Sequence, residues 1–340
     1  MMSGPNVLVT VQRPLYRELT TEASRAKLYR LAGKLVFNES ADPWSQSDVI
    51  ERIEGADAVI NGWGSCTFDK KVLDAAPNLK IICYSAGSIR SMAPPVVFER
   101  GIRLTHAAQV IAEAVAEFTL ATVLALLRRG PEYAAAMRKG GWTKYGGAAA
   151  RARPSRELYG KRYGIVGASM VGRSLLPLLR PFRVEALVYD PFLTEEAADE
   201  LGVRKVDLPE LMSTSDVISL HAPILPETRR MIDGPLLRSI KDDAVFVNNA
   251  RAWLVDSEAL IQELKKERFD AALDVFDEEP LPDDSPFRGL ERTALTPHLA
   301  GNSDEARSRL IGSAVDELER FLLGKPLLYE VTRDRLATMA

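Results

Sequence analysis

Short apolar runs with the length and composition of buried strands recur along the first third of this chain. They cover residues 7–11, 58–61, 80–83 and 102–105, and the intervening stretches 22–35 and 68–75 have helical apolar spacing. Strands that alternate with helices form βαβ units, in which neighbouring strands run parallel. This part of the chain therefore predicts a parallel sheet with helices packed on its faces.

The same alternation returns later in the chain. Six more runs have strand character, at residues 163–166, 185–189, 217–220, 244–248, 271–275 and 293–296, and helical stretches such as 257–266 separate most of them. Two sets of alternating elements predict two doubly wound α/β domains with a cleft between them. Two long helices are also expected, over residues 110–129 between the sets and over residues 303–323 after the last strand.

The last helix bears on how the chain is divided. We expect residues 303–323 to pack back on the first domain, which would then be discontinuous. The first domain would comprise residues 1–107 and 303–340, and residues 108–302 would form the second. The stretch 140–156 is rich in Gly, Ala and Arg and is expected to be a surface excursion.

Composition and charge narrow the classes of function. The 340 residues carry a formal net charge of −3, so no basic field attracts nucleic acid or an anionic membrane. The apolar run 112–127 contains Glu113 and Glu117 and is short for a bilayer span, which favours a buried helix. Cys66 and Cys83 lack the spacing of metal ligands, and so few cysteines fit a reducing cytoplasm. The N-terminus shows no secretion signal.

Residues 167–172, Gly-Ala-Ser-Met-Val-Gly, nearly match the loop that cradles a dinucleotide pyrophosphate. The full pattern is Gly-x-Gly-x-x-Gly, and serine replaces the middle glycine. The segment follows a predicted strand and opens a helix, whose N-terminal N–H groups favour a bound pyrophosphate. The serine hydroxyl can donate to a phosphate oxygen, so we expect a displaced or weaker contact. The residues expected to contact the cofactor here are Gly167, Ser169, Met170, Val171 and Gly172.

Asp190 ends the next predicted strand, 18 positions after Gly172, close to the spacing of an acid that binds the adenosine ribose. A carboxylate accepts hydrogen bonds from free ribose hydroxyls and repels a 2′-phosphate. Pro191 and Phe192 supply no positive charge, so NAD is favoured over NADP. Pro177 lies inside the expected helix and should kink or shorten it.

Three later strand ends carry charged groups. Arg251, an acidic cluster at residues 277–279, and His298 each follow a predicted strand. Ligands of open α/β sheets bind at the carboxyl ends of the strands. An enzyme that transfers hydride to or from a hydroxy acid needs a cation for the carboxylate, a base for the hydroxyl proton and an acid that orients the base. The three strand ends together predict such an enzyme.

Several motifs stand in a consistent order and spacing along most of the chain. They are GIVGASMVG with YDPF, LHAPILPETRRMID, VNNARAWLVDSEAL, ALDVFDEEPLP and LTPHLAG, with weaker matches in AVAEFTLATVLALLRR and LDAAPNLKIICYSAG. This set resembles the D-isomer-specific 2-hydroxyacid dehydrogenase family. The resemblance implies Rossmann- or flavodoxin-like domains, of which the first binds substrate and the second binds NAD. It also implies hydride transfer between NAD and C2 of a small D-2-hydroxy acid or 2-oxo acid, by a homodimer.

The resemblance further implies roles for single residues. Arg251 matches the arginine that holds the substrate carboxylate and 2-oxygen, His298 matches the acid/base histidine, and Glu279 matches the acid that hydrogen-bonds it. Backbone N–H groups of Gly87 and Ser88 are expected to bind the substrate carboxylate. The implied cofactor contacts outside the glycine loop are Asp190, His221, Ala222, Pro223, Thr228, Ala250 and, at the nicotinamide carboxamide, Asp274.

Departures from the family pattern concern the substrate side. Trp253 stands where the family usually has glycine, and its bulk beside the arginine is expected to narrow or redirect the site. Ser88 and Ile89 replace the usual Val-Asp, and Arg90 is either a contact for a second anionic group or a surface charge. His106 replaces the usual asparagine, and both a structural and a catalytic role are open for it.

Two other functions fit the same fold. One is an NAD(H)-sensing binding protein with little turnover, similar to the C-terminal-binding-protein corepressors. The chain has no obvious added interaction tail, which disfavours this alternative. The other is an NAD-dependent formate dehydrogenase, a branch that has glutamine where this chain has Glu279, and the residue present argues against it.

Overall fold

A computed structural model describes residues 4–89, 92, 94–140 and 154–338. Arg90 and most of the stretch 140–156 lie outside the described residues. The chain divides into two compact units, Met1–Ala114 with Asn302–Ala340, and Val115–Gly301. Each unit contains one sheet whose paired strands are all parallel. The predicted α/β fold with two parallel sheets is confirmed.

The first unit is built on five strands. They are β1 Asn6–Val9, β2 Lys34–Phe37, β3 Ala58–Asn61, β4 Ile81–Tyr84 and β5 Arg103–His106, in the sheet order β2-β1-β3-β4-β5. The helices between and beside them are α1 Arg13–Glu18, α2 Glu22–Leu31, α3 Gln46–Arg52, α4 Lys70–Asp74 and α5 Val96–Glu99. Strands β3 and β4 are buried at every position, as expected for parallel strands covered on both faces.

The helical prediction for residues 34–35 is wrong, because these residues belong to the edge strand β2. A Cβ at Gly33 would lie 2.2 Å from the carbonyl oxygen of Gly4, so the two segments pack this closely only because both residues are glycine. Helix α2 ends at Leu31, before this contact. Strand β2 is short and only half-buried, so it shows no clear strand pattern.

The second unit is built on seven strands. They are β6 Arg162–Val166, β7 Glu185–Tyr189, β8 Arg204–Lys205, β9 Val217–Leu220, β10 Val245–Asn248, β11 Asp270–Leu273 and β12 Thr293–Leu295. Their order in the sheet is β12-β11-β10-β9-β6-β7-β8. Strand β8 was not predicted, because it consists of two charged residues without an apolar run.

The order of this second sheet reverses between β6 and β9. From β6 the chain proceeds to β7 and β8 on one side, and then returns to β9 on the other side. Open α/β sheets bind ligands at such a reversal, at the carboxyl ends of the strands. The glycine loop after β6 and His221 after β9 both lie at this position.

The remaining helices begin with α6 Ala108–Arg128 and α7 Gly130–Arg138. The others are α8 Met170–Leu179, α9 Glu195–Leu201, α10 Leu208–Thr214, α11 Gly234–Ser239, α12 Ser257–Leu264, α13 Asp304–Leu322 and α14 Arg333–Thr338. Helix α8 continues through Pro177 as far as Leu179, and a 3₁₀ turn follows at Arg180–Phe182. The helix ends two residues after Pro177, and Pro181, which has no N–H to bond the carbonyl four residues earlier, follows in the 3₁₀ turn.

Helix α13 completes the core of the first unit. Leu310, Ile311 and Val315 are buried in one cluster with Val7 and Val9 of β1. Full burial of each such aliphatic side chain contributes roughly 1.5–3 kcal/mol. The C-terminal segment thus packs on the sheet that the N-terminal segment begins.

Helix α6 has 21 residues, and among the described helices it alone is long and apolar enough to cross a membrane. Such a helix is also typical of the core of a globular protein. Its residues Val115, Thr119 and Val123 are buried and recur every four positions, so they lie on one face. Val123 packs in the core of the second unit with Tyr163 of β6.

Candidate active site

The glycine loop joins β6 to α8 in a conformation that requires its glycines. Gly167 has φ +100°, and a Cβ there would lie 2.8 Å from the backbone nitrogen of Ala222. A Cβ at Gly172 would lie 2.4 Å from the carbonyl oxygen of Gly167. The first glycine therefore lets the loop pass the segment after β9, and the last lets the helix approach the strand.

Ser169 is the residue before the helix, and Met170 and Val171 form its first turn, where backbone N–H groups have no intrahelical acceptor. The Ser169 hydroxyl does not cap the helix. It is buried and has no hydrogen-bond partner among the described residues. A buried hydroxyl without a partner costs free energy unless a ligand supplies one. The loop therefore fits a dinucleotide pyrophosphate, with the serine as an added donor.

Asp190 follows β7 directly and lies against the glycine loop. Its Oδ2 accepts a hydrogen bond from the backbone N–H of Ala168 at 2.8 Å, and its Oδ1 accepts one from Phe192 at 2.8 Å. Each carboxylate oxygen retains a lone pair for a ribose hydroxyl. The acid predicted to select NAD thus also holds the loop that would bind the pyrophosphate. The sequence spacing alone did not indicate this second role.

His221 and Ala222 follow β9 and pack beside the glycine loop. The His221 ring is buried, its Nε2 lies 2.9 Å from Ser219 Oγ, and burial lowers its pKa to about 3. The imidazole is therefore neutral at physiological pH and cannot serve as a cation for substrate. Further along the same loop, the hydroxyl of Thr228 donates a hydrogen bond to the carbonyl of Pro223 at 2.7 Å and so holds residues 223–228 in a turn.

His298 and Glu279 form a hydrogen-bonded pair at neighbouring strand ends. His298 Nδ1 lies 2.7 Å from Glu279 Oε2, and the side chains are 48% and 35% exposed, so solvent protons can reach both. Glu279 Oε1 accepts a second bond from the backbone N–H of Phe276 at 2.9 Å. Partial burial raises the pKa of Glu279, but these hydrogen bonds and the charges of His298 and Arg251 outweigh it, and the pKa lies below its ordinary value.

A carboxylate that accepts from Nδ1 places the ring proton on that nitrogen. Nε2 of His298 is then left to exchange a proton, and it has no partner among the residues that the structure describes. The charge of Arg251 is among the influences that lower the pKa of Glu279. The structure thus brings His298 into contact with Glu279 and places Arg251 in the loop after the neighbouring strand β10.

Arg251 lies in a turn after β10 that Asn248 holds in place. The Asn248 side chain donates to the carbonyl of Arg251 at 2.9 Å and accepts from the N–H of Ala250 at 3.1 Å. The guanidinium Nη1 donates to the Ala250 carbonyl at 2.6 Å. Sequence reasoning did not single out Asn248, although an asparagine at a strand end followed by a turn is a signal for this kind of side-chain bond.

Asp274 is buried at the end of β11 and holds the segment that carries His298. Its Oδ1 accepts from the Thr296 hydroxyl at 2.6 Å and from the Leu299 N–H at 3.0 Å, and its Oδ2 accepts from the Ala300 N–H at 2.9 Å. His298 itself has φ +53°, a conformation that is uncommon for residues other than glycine. The three bonds to Asp274 stabilise the turn in which this conformation occurs.

Trp253 connects the turn of Arg251 to the loop after β9. Its indole N–H donates to the carbonyl of Leu225 at 3.0 Å, and its backbone carbonyl accepts from Arg230 at 2.8 Å. The guanidinium of Arg229 lies 5.1 Å from the centre of its ring. The residue that departs from the family pattern therefore fastens two loops together, a contact that its sequence position did not indicate.

In the first unit, Gly87 and Ser88 follow β4, Gly87 half-buried and Ser88 exposed. His106 ends β5 and is buried, and its backbone N–H donates to the carbonyl of Tyr329 at 3.3 Å. Burial lowers the pKa of His106 to about 4, assisted by the charge of Arg335 and opposed by a bond with the backbone of Gly87. This environment favours the structural role that was open for His106.

Within the described ranges, no three His, Cys, Asp or Glu side chains are grouped so that they could hold a metal ion. The site is instead a set of loops at the carboxyl ends of β6, β7, β9, β10, β11 and β12.

Comparison with known proteins identifies the family. Residues 120–300 match the family described as D-isomer specific 2-hydroxyacid dehydrogenase, NAD binding domain. The chain is also 35% identical over 298 residues to a glyoxylate reductase of Thermofilum pendens, with 86% of each protein covered. The chain belongs to the D-isomer specific 2-hydroxyacid dehydrogenase family. It is an NAD-dependent oxidoreductase that acts on 2-hydroxy acids.

Other members of the family are similar along most of the chain. A D-3-phosphoglycerate dehydrogenase of Methanocaldococcus jannaschii is 30% identical over 289 residues, which are 84% of this chain and 54% of that longer protein. The crystal structure of a phosphoglycerate oxidoreductase from Rhizobium etli has a TM-score of 0.82 at 27% identity, and covers 97% of this chain and 99% of that one. Because the similar proteins are named as reductases and dehydrogenases, the binding protein with little turnover is not favoured.

Replacement of Gly172 by Ala tests the close approach of α8 to β6. The new Cβ would meet a backbone oxygen at 2.4 Å, so the loop must shift. We expect stability to fall by about 1–3 kcal/mol, as for other overpacked sites, and the affinity for NADH to fall at least severalfold. Fluorescence titration with NADH measures the affinity.

Gly312→Ala, inside helix α13, is the matched control, because its Cβ would meet only Ser24 Cβ of helix α2 at 3.5 Å, an ordinary contact. We expect NADH affinity to be unchanged in this variant, with a stability gain of roughly 0.5–1 kcal/mol. Unchanged NADH affinity in Gly172→Ala would contradict the role given to the glycine loop.

Acid should destabilise the enzyme at a pH where carboxylates are still ionised. His106 and His221 have pKa values of about 4 and about 3 in the folded chain, against 6.5 for an ordinary histidine. Below about pH 6.5 the unfolded chain binds protons that the folded chain excludes. The free energy of unfolding therefore decreases as the pH is lowered, by roughly 1.4 kcal/mol per pH unit for each histidine. Above pH 6.5 neither group contributes a slope.

Scanning calorimetry from about pH 7.5 to about pH 4.5 checks this expectation, because that range contains the ordinary pKa of histidine. The variant His221→Asn does not titrate and should show a shallower decrease in Tm. An equally steep decrease in that variant would show that His221 is not held neutral by burial.

The variant Trp253→Phe separates the indole N–H from the bulk of the ring. Loss of the bond to Leu225 should loosen the loop after β9, and loss of one hydrogen bond of about 0.5–1.5 kcal/mol predicts a two- to tenfold weaker affinity for NADH. The ring remains for Arg229. Trp44→Phe, in the first unit, is the control for the substitution type. A change confined to the KM of the 2-oxo acid would instead assign Trp253 to the substrate side.

Proposed function

We propose that the enzyme interconverts a small 2-oxo acid and the corresponding D-2-hydroxy acid, with His298 as the acid/base. The observation that carries this proposal is the 2.7 Å contact between His298 Nδ1 and Glu279 Oε2, with Arg251 close enough to lower the pKa of Glu279. When bound, NAD(H) supplies or accepts the hydride at its nicotinamide ring. The residues of this chain then have to bind the acid and move its proton.

In reduction, protonated His298 gives its Nε2 proton to the 2-oxygen of the substrate, and in oxidation neutral His298 takes the hydroxyl proton. Glu279 keeps the other ring nitrogen protonated and stabilises the cationic form of the ring. Arg251 binds the carboxylate through its planar guanidinium, which matches two oxygens at once. Backbone N–H groups of Gly87 and Ser88 are proposed as further contacts to the substrate carboxylate.

On the cofactor side, the proposed contacts are the glycine loop with Ser169, Met170 and Val171, and the acid Asp190. The segments around Ala222, Thr228 and Ala250, together with Asp274, complete the proposed contacts. Asp190 disfavours the 2′-phosphate of NADP. In this assignment, residues 108–302 form the NAD-binding domain, and residues 1–107 with 303–340 form the substrate domain.

We also propose a cytoplasmic homodimer that has no nucleic-acid or membrane partner. The net charge of −3 supports the absence of such partners. The half-buried ring of Phe118 on α6, which belongs to none of the core clusters, supports a protein interface on that helix.

The experiment measures NADH oxidation by the full chain with glyoxylate, hydroxypyruvate, pyruvate, phenylpyruvate, 2-oxoglutarate and phosphohydroxypyruvate, and repeats it with NADPH. We expect turnover with at least one small acid, faster with NADH. His298→Ala should lower kcat by about 10²–10⁴-fold, the usual contribution of a general acid, while NADH still binds. Glu279→Gln should lower kcat less and shift its pH profile.

Glu278→Gln is the matched control. Glu278 is the exposed neighbour of Glu279, and no contact with His298 is recorded for it among the described residues. Its kcat should stay near that of the unaltered enzyme. Undiminished turnover in His298→Ala would overturn the role assigned to His298. The absence of NADH oxidation with all six acids, in enzyme that binds NADH, would overturn the proposed substrate class.

A further inference from the structure

The first unit contains a pocket that has no part in the proposed function. It has a volume of about 370 Å³ and is lined by Arg13, Tyr16, Arg17, Arg25 and Tyr29, all on or beside helices α1 and α2. Small-molecule sites occupy roughly 300–1,000 Å³, so the pocket has room for a small organic ligand. Three guanidinium groups at one pocket repel one another, although the chain as a whole has a net charge of −3. A bound anion would reduce this repulsion.

Among the described residues, only one of the three arginines of this pocket has a carboxylate as ion-pair partner. Glu39 lies 3.4 Å from Arg13 Nε and is itself 66% exposed. Arg25 donates to the neutral hydroxyl of Thr20 at 2.8 Å, and Arg17 has no ion-pair partner within the described part of the chain. Three positive groups against one carboxylate leave two positive charges at the pocket.

Two aromatic rings pack against the guanidinium of Arg13, which makes no hydrogen bond among the described residues. Its guanidinium carbon lies 5.3 Å from the ring centre of Phe37 and 5.8 Å from that of Tyr16, and those two rings pack edge to face at 5.3 Å. Stacking on aromatic rings fixes the plane of a guanidinium and leaves its N–H groups available. Its buried Nε forms the 3.4 Å ion pair with Glu39 but makes no hydrogen bond among the described residues.

Tyr16 provides the second sign of a ligand. The residue is 2% exposed, and its hydroxyl is buried without a hydrogen-bond partner in the described residues. Burial raises the pKa of Tyr16 to about 12, although the charges of Arg25 and Arg13 act in the opposite direction. The hydroxyl therefore stays protonated and can donate a hydrogen bond to an oxyanion. Without an acceptor, its loss of hydration is not offset by any hydrogen bond and destabilises the folded chain.

We propose that this pocket binds a small organic phosphate, whose oxygens accept hydrogen bonds from Tyr16 and from the arginines. A phosphate monoester carries nearly two negative charges at neutral pH, which matches the two uncompensated positive charges better than a single carboxylate does. Tyr29 is 58% exposed at the pocket and offers a ring face to the organic part of the ligand. The proposal is independent of the reaction assigned to the second unit.

Isothermal titration of the full chain tests the proposal. Phenyl phosphate, inorganic phosphate and benzoate are titrated separately into protein saturated with NADH, which blocks the glycine loop as a phosphate site. We expect saturable binding of one phenyl phosphate per chain, weaker binding of inorganic phosphate, and the weakest binding of benzoate. Tyr16→Phe and Arg17→Gln should each lower the affinity for phenyl phosphate by about tenfold, the usual effect of losing one hydrogen bond to a charged group.

Arg30→Gln is the matched control, because Arg30 is an exposed arginine of the same helix α2 that does not line the pocket. It should bind phenyl phosphate like the unaltered protein. Thermal unfolding shows whether Tyr16→Phe is folded, and Arg17, being exposed, gives a second variant that does not disturb the core.

Three results would overturn the proposal. One is the absence of saturable binding of phenyl phosphate. The second is an equal loss in Arg30→Gln and Arg17→Gln, which would show that general charge and not this pocket attracts the anion. The third is binding to the NADH-free protein that disappears when NADH is present, which would place the anion at the cofactor loop.

Discussion

The proposed chemistry of this enzyme depends on the parallel alignment of the strands in the second unit. Parallel strands end at the same edge of a sheet, so groups that are far apart in sequence follow neighbouring strands there. The loops after β10, β11 and β12 carry Arg251, Glu279 and His298 in this way. Each charged group comes from a separate loop, and the sheet provides their common frame.

Alignment alone does not orient side chains, and buried polar residues complete that task. Asp274 receives three hydrogen bonds from the segment around His298, and Asn248 makes two with the turn of Arg251. The backbone N–H of Asp274 also donates to the Asn248 carbonyl at 3.1 Å, so the two supports are connected. Precise positioning of catalytic groups by satisfied buried polar residues is a general feature of enzyme sites.

The histidines show how surroundings decide the use of one side chain. His106 and His221 are buried, and burial holds their pKa values far below the ordinary value, which keeps them neutral. His298 is half-exposed beside a carboxylate and so meets the requirements for proton exchange. The pocket on α1 and α2 is a similar case, since the hydroxyl of Tyr16 and Nε of Arg13 make no hydrogen bond among the described residues.

The sequence by itself determined the alternation of strands and helices, the glycine loop and the order of the family motifs, because these features are local or follow from fixed spacing. Strands β2 and β8 could not be predicted from the sequence. Strand β2 depends on the contact of Gly4 with Gly33, and strand β8 has only two residues. The family resemblance implied the contact of His298 with Glu279, and the structure shows it. Only the tertiary structure decided that Asp190 holds Ala168 and that Trp253 reaches Leu225. These are contacts between distant segments, and a sheet must form before its strand ends can meet.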